Sequence, residues 1–392
     1  MCWPRGTCCL LVWLAAMAVV IFVPLPAARG EDTTLVRGEK GEKEEEEEGA
    51  GTAAGYGARG GRYDHTVSRF LGLNEDGDPL GSTDEKKLAE AIADPKVSFF
   101  VLQKNMAILS PLPILSGKKF SVIGNCGSEG GRCVIKGGRK TNGFVTGDAA
   151  GTTLILQDLE MVGFTTANST SGNTGAAVFI PLGGHLVVHN CLFWSNRAGA
   201  GAGIHIRRGS YKISHSQFVD NVAEVLGGGA ILADGGARGI VTGTKFHKNR
   251  APRMGAAFVG IGGTVSFTTV EFKSNEVGFF GGAISINDVS ATFLNTSFVS
   301  NSAKEAMAKG GAVRILSRSA NTTFCCDTSF SHNTCPQEPD AGNDIHISGD
   351  GGEVRFCGGA IPPQWHVKIS GNVIVTTVPD TPDCTHEPEP EL

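Results

Sequence analysis

Three residues in the last third of the chain, Arg314, Asp344 and His346, are of types that carry acid–base chemistry. A calcium-dependent polysaccharide lyase needs a group of carboxylates for the metal and a base such as arginine. A glycoside hydrolase needs two or three carboxylates on one face. Because Asp344 is the only carboxylate of the three, we interpret them as a solvated polar patch rather than as a catalytic site.

The sequence contains no pattern typical of another kind of reactive site. We find no Ser-His-Asp arrangement, phosphate-binding loop or zinc-ligand spacing, so we predict no cofactor and no metal ion. The net charge is −5, and the acidic residues concentrate in the run at 44–48 and in the tail after residue 378. The rest of the chain is close to neutral, which argues against nucleic-acid binding.

Two short motifs alternate six times through the middle of the chain. One is Gly-(Gly/Ala)-(Ala/Gly)-hydrophobic, and the other is Phe-x-x-Asn, whose phenylalanines are 25 to 32 residues apart. Apolar and polar residues alternate between the motifs, which indicates strands. Such a repeat, with about three short strands, is typical of one coil of a parallel β-helix, whose coils stack at about 4.8 Å. The Phe/Asn pairs are Phe193/Asn196, Phe218/Asn221, Phe246/Asn249, Phe272/Asn275, Phe298/Asn301 and Phe330/Asn333.

The composition agrees with stacked columns of equivalent residues. The chain has 55 Gly and 21 Phe but only 3 Tyr, which argues against collagen, a disordered chain or an ordinary helical domain. We predict that the phenylalanines stack inside the coils, where a tyrosine hydroxyl would lack a partner. The asparagines should form a ladder of side-chain amides at a tight turn, and the glycines should allow the chain to turn. A column of small residues should follow the ladder: Ala198, Ala223, Ala251, Val277, Ala303 and Cys335.

The ends of the chain carry other signals. A basic start, an apolar stretch over 10–23 and small residues at Ala28 and Gly30 predict a secretory signal peptide, with an uncleaved anchor as the alternative. We expect no stable membrane insertion after cleavage. The predicted divisions are a signal peptide over 1–30, a disordered acidic and glycine-rich linker over 31–64, an N-terminal cap with a helix at 83–92 over 65–96, a β-helix of nine or ten coils over 97–378, and a disordered acidic tail over 379–392.

If the protein is secreted, its remaining cysteines can form disulfides and its sequons can be glycosylated. Eight cysteines follow the signal segment, an even number that favours disulfides, and Cys126 and Cys133 flank a glycine-rich loop as the best local pair. Glycosylation sequons occur at Asn168, Asn295 and Asn321. Asn295 lies three residues before Phe298, at a position that we predict to be an exposed turn.

The repeat resembles a known family. Gly-Gly-Ala-Ile at 228–231 and 281–284, alternating with the six Phe/Asn pairs, is similar to the repeat of polymorphic outer-membrane proteins of the chlamydial type, within the pectin-lyase-like group. The resemblance covers about 175–347 and implies an all-β, single-stranded right-handed parallel β-helix. In that family the repeat region is a surface passenger associated with adhesion. The family's C-terminal membrane barrel has no room after residue 378, so we carry over the fold and not adhesion to a host.

A binding surface is predicted from the outward positions of the glycine-motif strand. Phe179, His205, Leu232 and Val259 share one column beside small residues, which indicates an exposed apolar groove. The alternative is that a loop or terminal segment covers it. Trp194 should also face outward and could stack on a sugar ring, unless the loop at 165–174 covers it.

Together these patterns predict a secreted or cell-surface protein that is not an enzyme. Its rigid lateral surface would serve adhesion or binding to an extracellular glycan or a cell-surface protein. One alternative is a polysaccharide lyase or glycoside hydrolase of the pectin-lyase-like group, in active or degenerate form. Another is a structural wall or coat component. The sequence leaves the oligomeric state open.

Overall fold

A helix followed by stacked parallel strands makes up the described part of the chain. The computed structural model describes residues 84–127, 131–138, 142–166, 174–325, 327–336, 342–358 and 361–379. The predicted signal peptide, the linker, most of the cap and the tail beyond 379 lie outside these residues. The strands are numbered in chain order and form four sheets, A to D, in which every pairing between strands is parallel.

Sheets A and B contain eleven and nine of the described strands. Sheet A consists of β1 (Phe99–Leu102), β3 (Lys119–Gly124), β6 (Thr153–Gln157), β9 (His185–His189), β13 (Ser210–Ser214), β17 (Arg238–Thr242), β21 (Thr264–Thr268), β25 (Ser290–Leu294), β29 (Asn321–Cys325), β32 (Glu353–Cys357) and β34 (Ile374–Val378). Sheet B consists of β2 (Met106–Ile108), β4 (Cys133–Gly137), β7 (Leu159–Val162), β10 (Leu192–Trp194), β14 (Gln217–Val219), β18 (Lys245–His247), β22 (Glu271–Lys273), β26 (Ser297–Val299) and β30 (Ser329–Ser331).

Sheets C and D complete each coil. Sheet C consists of β11 (Arg197–Ala198), β15 (Val222–Ala223), β19 (Arg250–Ala251), β23 (Glu276–Val277) and β27 (Ser302–Ala303). Sheet D consists of β5 (Phe144–Val145), β8 (Val178–Ile180), β12 (Ile204–Arg207), β16 (Ile231–Asp234), β20 (Phe258–Ile261), β24 (Ile284–Asn287), β28 (Val313–Leu316), β31 (Ile345–Gly349) and β33 (Val367–Gly371). Neighbouring strands of each sheet belong to successive coils, so the fold is a parallel β-helix, as predicted. Sheet A has eleven strands among the described residues, one or two more than the nine or ten coils that the sequence predicted. The prediction fell short because the coils outside the repeat lack the motifs that mark the others.

The phenylalanine column stacks inside the coils as the sequence predicts. From Phe193 to Phe330, successive ring centroids lie 4.6–5.0 Å apart and successive ring planes are nearly parallel. A second stack of phenylalanines, which the sequence did not predict, runs along sheet A through Phe267, Phe293, Phe324 and Phe356. The two stacks meet edge to face, with the Phe267 and Phe272 centroids 5.5 Å apart. Ring contacts therefore order the core both along each stack and between the stacks.

The asparagine column forms a continuous buried ladder, as predicted. Each side-chain Nδ2 donates to the Oδ1 of the asparagine in the next coil, at 2.9–3.0 Å from Asn196 to Asn333. Each Nδ2 also donates to a main-chain carbonyl of the preceding coil, as Asn221 does to Phe193. Every amide in the ladder thus points the same way along the helix axis.

Asn301 shows how completely the ladder is enclosed. A polar residue at a tight turn usually faces solvent, yet the Asn301 side chain is fully buried. Its Nδ2 donates to Asn333 Oδ1 at 3.0 Å and to the Phe272 carbonyl at 2.9 Å. Its Oδ1 accepts from the main-chain N–H and the Nδ2 of Asn275, at 3.0 and 2.9 Å. Asn301 is therefore a structural residue that no external partner can reach, and it belongs to no binding surface.

A column of small residues runs beside the ladder. From Ala223 to Cys335 it forms a separate buried cluster, together with Ala256 and Ala308. Its first predicted member, Ala198, is buried in the main core instead. The predicted column is therefore present in the interior, and it divides between two clusters.

Tight turns at each end of the sheet B strands use left-handed backbone conformations. The position three residues before the stacked phenylalanine has a positive φ at Asn190, His215, Thr269, Asn295 and Asp327. Asn295 is exposed there, as predicted. Asn, Asp and His tolerate this conformation better than branched residues, which explains the residue types at these turns apart from the β-branched Thr269.

The N-terminal helix α1 (Asp84–Ala93) lies one residue later than predicted and packs on the first coil. Its Leu88 and Ile92 are buried in the main core. Lys118 Nζ donates to carbonyls at the end of the helix, including that of Ala91 at 2.9 Å, and so places a cation at the helix C-terminus. At ten residues, this helix of the described chain is too short to span a bilayer.

Tyr211 is an exception to the scarcity of buried tyrosine. It is fully buried on β13, and its hydroxyl has no hydrogen-bond partner among the described residues. Burial raises the pKa of Tyr211. The ring fits because Gly239 occupies the equivalent position one coil on, where a Cβ atom would overlap the ring.

Replacing Tyr211 by phenylalanine should stabilise the protein. Y211F removes a buried hydroxyl without a partner and should raise the free energy of unfolding by about 1–2 kcal/mol. Gly239→Ala should lower it by about 2 kcal/mol or more, because the added methyl group meets the ring. Chemical denaturation of both variants checks these signs, and an unchanged or lower stability of Y211F would contradict the first.

Candidate functional site

The predicted apolar groove on sheet D is buried. Leu232 and Val259 form a small closed cluster with Ala200, against which Leu226 and Met254 pack. The cover comes from the turns between sheets C and D, which stack from coil to coil through isolated parallel bridges. The prediction of an exposed groove at Leu232 and Val259 is therefore wrong, and the alternative, that a loop covers this column, is confirmed, because short turns of the same coils cover it.

His205 lies in the same column and is held on several sides. Its ring stacks on Phe179, with centroids 5.1 Å apart, and its Nδ1 is 2.6 Å from Thr174 Oγ1. Its Nε2 is 3.4 Å from Asp234 Oδ1. His205 is buried and Phe179 is partly buried. These contacts anchor successive coils to each other, and the predicted exposure of His205 is wrong as well.

Asp344 is turned away from the predicted polar patch. Its Oδ1 accepts a hydrogen bond from Asn333 Nδ2 at 2.9 Å, and its Oδ2 accepts one from the main-chain N–H of His366 at 2.9 Å. The His366 ring nitrogen Nδ1 is 3.5 Å from Oδ2. Asp344 thus ends the asparagine ladder as its last acceptor. Its predicted outward, solvated position is wrong, because the ladder needs an acceptor where the repeat stops.

Arg314 and His346 do lie side by side on adjacent coils, at paired positions of β28 and β31. His346 is buried, and its Nε2 lies 3.4 Å from Ser370 Oγ. The Arg314 guanidinium carbon lies 5.0 Å from the centre of the Phe280 ring, and burial lowers the pKa of Arg314 to about 10. The pair is therefore a packed contact rather than the predicted solvated patch.

The other predicted site residues lie apart from one another. Trp194 is partly exposed on β10, between Val162 and Val219 of the neighbouring coils. Asn295 and Asn321 are both exposed, and Asn168 lies outside the described residues. Within the described ranges, no three His, Cys, Asp or Glu residues are placed to hold a metal ion.

The cysteines link neighbouring segments of the coils. Cys126 and Cys133 form a disulfide, the pair that the sequence indicated. A second disulfide joins Cys325 and Cys357. The sequence reasoning left this pair open, although their separation of 32 residues is the length of one coil in that region. Cys191 is a buried thiol whose pKa is raised by burial to about 12, so it is a poor nucleophile.

An exposed apolar ridge lies on the turns between sheets C and D. We call Val225, Phe279 and Met307 the lateral ridge; they are 60%, 37% and 72% exposed. Phe279 and Met307 lie on the turns of adjacent coils, and the turn of one further coil separates Val225 from Phe279. Main-chain hydrogen bonds stack these turns, such as the one from the Lys309 N–H to the Phe279 carbonyl. The longer intervals between phenylalanines, 28 residues after Phe218 and 32 after Phe298, were the sequence signal for the turns of Val225 and Met307, because added residues must leave the coil. The turn of Phe279 lies in an ordinary interval of 26 residues.

A cleft with charges of both signs adjoins the lateral ridge. Its volume is about 310 Å³, and its floor includes Ala251 and Val277. Lys304 Nζ lies 3.5 Å from Glu276 Oε2, in an ion pair that is about half exposed. Such exposed pairs contribute little stability, so their charges remain available to a partner. The charged lining residues are Glu224, Arg250, Glu276, Lys304 and Glu305.

The four parallel sheets define this protein as a parallel β-helix. Residues 163–334, less than half of the chain, match a family model described as a right-handed β-helix region. Neither curated proteins nor solved structures include a match to this chain.

Proposed function

We propose that this chain is an extracellular, non-catalytic β-helix that binds another protein through the lateral ridge and the adjoining cleft. The observation that carries the proposal is the ridge itself: Val225, Phe279 and Met307 hold apolar side chains in solvent on stacked turns. Exposed apolar groups that lie together mark interaction sites. The rigid coils behind them would hold the ridge in one shape without a partner, which lowers the entropic cost of binding.

The chemistry of the ridge favours a protein partner over a glycan. Aromatic and methionine side chains are enriched in the centres of protein interfaces, with a polar rim around them. The lateral ridge supplies Phe279 and Met307, and the cleft supplies both signs of charge in Arg250 and Glu276. A sugar site typically uses a flat exposed indole or phenol ring, which the ridge lacks.

A binding role also fits the state of the carboxylates. A general acid needs a carboxyl group that is held in a buried or apolar site. Glu224 and Glu276 are in exposed ion pairs, with Arg197 at 3.4 Å and with Lys304. Asp344 is buried, but its two oxygens are taken up by hydrogen bonds from Asn333 Nδ2 and the His366 N–H. A polysaccharide lyase or hydrolase remains the alternative function, and a structural coat component is the third.

The extracellular location belongs to the same proposal. It rests on the signal-like first thirty residues and on the two disulfides, which persist in oxidising compartments. Adhesion would be one use of such a protein, if the partner lies on a cell surface.

The test compares ridge variants with a control at another exposed apolar position. The full chain is screened against arrays of purified extracellular proteins and of glycans, and the variant Phe279→Glu with Met307→Glu is screened beside it. We expect a protein hit whose affinity falls by about tenfold or more in the ridge variant, because two charges replace the centre of the interface. The matched control, Leu109→Glu with Ile114→Glu, places the same charges at exposed apolar residues elsewhere and should keep full binding.

Three results would overturn the proposal. The first is equal binding by the ridge variant, and the second is the absence of any protein hit on the arrays. The third is the appearance of new reducing or unsaturated ends when the protein is incubated with polygalacturonate or other acidic polysaccharides, which would establish the enzyme alternative.

A further inference from the structure

The last coil ends in a strand whose outer edge is unpaired among the described residues. Sheet A stops at β34, which pairs with β32 on one side only. Its sequence, Ile-Val-Thr-Thr-Val, contains only β-branched residues and no charge. Such an uncharged, β-branched edge is a template for pairing with another strand.

The register identifies the main-chain groups at that edge. The Ile374 N–H donates to the Gly352 carbonyl, on the β32 side. Because residues of a parallel strand alternate in the direction of their main-chain groups, Thr376 also faces β32. Val375 and Thr377 therefore direct their N–H and C=O groups outward.

The two ends of the β-helix differ in their cover. At the first coil, α1 places Leu88 and Ile92 over the core. At the last coil, the Trp365 ring covers part of the core, and its edge contact with a phenylalanine of sheet B spans 4.7 Å between centroids. Ile374 and Ile369 remain 61% and 40% exposed. The C-terminal end thus combines exposed apolar side chains with unpaired main-chain groups.

We propose that two copies of this chain associate through these ends, with β34 pairing antiparallel to β34 of the second copy. A two-fold axis at Thr376 sets Val375 opposite Thr377 of the second copy. The two-fold axis repeats this pair, so Val375 of each copy lies opposite Thr377 of the other copy. In each of the two pairs the N–H and C=O groups face each other and form two hydrogen bonds, which gives four main-chain hydrogen bonds in all. The contact uses the same surface on both copies and therefore closes at a dimer.

Self-pairing fits the chemistry of this edge better than pairing with the segment that follows it. Two uncharged strands meet without like-charge repulsion. The residues from 380 onward include Pro382, Pro388 and Pro390, and proline lacks the N–H that a paired strand needs. The second copy is therefore the partner that this edge fits, independently of the lateral ridge.

Sedimentation of the full chain over a range of concentrations tests the proposal. We expect a dimer, and we expect Thr377→Pro and Thr377→Lys to raise its dissociation constant by about tenfold or more. T377P removes an outward N–H and no hydrogen bond that the described residues make, and T377K adds a charge at the edge. The matched control is Thr264→Lys, at an exposed position of the central strand β21, which should leave the dimer intact.

Thermal unfolding of each variant separates lost pairing from lost folding. A variant that melts like the parent protein but sediments as a monomer supports the proposal. A monomeric parent protein at the highest concentration would overturn it, as would a dimer that both Thr377 variants leave unchanged. A dimer that only Phe279→Glu breaks would place the interface on the lateral ridge and would also overturn it.

Discussion

Replacing Asn249 by alanine should lower the free energy of unfolding by about 3–5 kcal/mol, because one side chain serves four hydrogen bonds. Its Nδ2 donates to the Phe218 carbonyl and to Asn275 Oδ1, both at 3.0 Å. Its Oδ1 accepts from the main-chain N–H of Asn221 at 3.1 Å and from Asn221 Nδ2 at 3.0 Å. Alanine leaves all four partners buried with one bond fewer, where water cannot replace the amide.

Chemical denaturation of Asn249→Ala measures the loss, with Asn372→Ala as the matched control. Asn372 is exposed on the last described coil, so removal of its amide should change stability by less than about 0.5 kcal/mol. A loss under about 1 kcal/mol for N249A would mean that water or a shifted backbone satisfies the ladder groups, and would contradict the buried ladder.

The direction of the ladder explains where it ends. Every amide donates toward the C-terminal coils, as Asn301 donates to Asn333, so the ladder must end at an acceptor that has no side-chain N–H of its own to satisfy. Asp344 supplies its carboxylate at that point. The repeat predicts the ladder because the same residue type recurs at one position in six coils. It does not predict the residue that ends the ladder, because that residue stands outside the repeat.

The same distinction separates the interior from the surface. The inward columns of sheet B and its turns could be predicted because each coil presents an equivalent environment and selects the same side chain, as at Phe246. The inward stack of sheet A was missed because Val241 of the coil before it pairs with Phe267, so that column changes residue type. Outward positions have no such constraint, and their exposure depends on the turns that follow. The sequence left open whether Leu232 and Val259 face solvent or lie under a loop, and the turn residues Leu226 and Met254 cover them. A small change in turn length decides this, and residue type alone carries no information about it.

The lateral ridge could not be predicted for the same reason. Val225, Phe279 and Met307 share no motif, and the longer coils mark only the turns of Val225 and Met307. Binding residues of a rigid scaffold commonly lie on loops, which vary without disturbing the core. The proposed site therefore lies where the repeat is weakest, while the stacked columns hold it in place.

Replacing Phe272 by alanine should lower the free energy of unfolding by about 3–5 kcal/mol, since it removes a fully buried ring from the middle of the stack. Phe272 stacks on Phe246 at 4.8 Å and on Phe298 at 5.0 Å, and Phe267 meets it edge-on. Both stacks lose a contact at once, and the rigid coils on either side limit how far the cavity can close. The control is Phe99→Ala on β1, where the ring is largely exposed and the loss should stay well below that of F272A.

Phe272→Tyr tests why the chain avoids tyrosine in these columns. The ring keeps its stacking partners, so any decrease in the free energy of unfolding is due to the added hydroxyl. A hydroxyl that stays buried without a partner should lower this free energy by about 1–3 kcal/mol. We expect denaturation of F272Y and Y211F to give opposite results. Removal of the hydroxyl at residue 211 should stabilise the protein, and addition of a hydroxyl at residue 272 should destabilise it. If F272Y were as stable as the parent protein, the hydroxyl must reach a partner or solvent, and burial in the column would not explain why a chain with 21 phenylalanines has only 3 tyrosines.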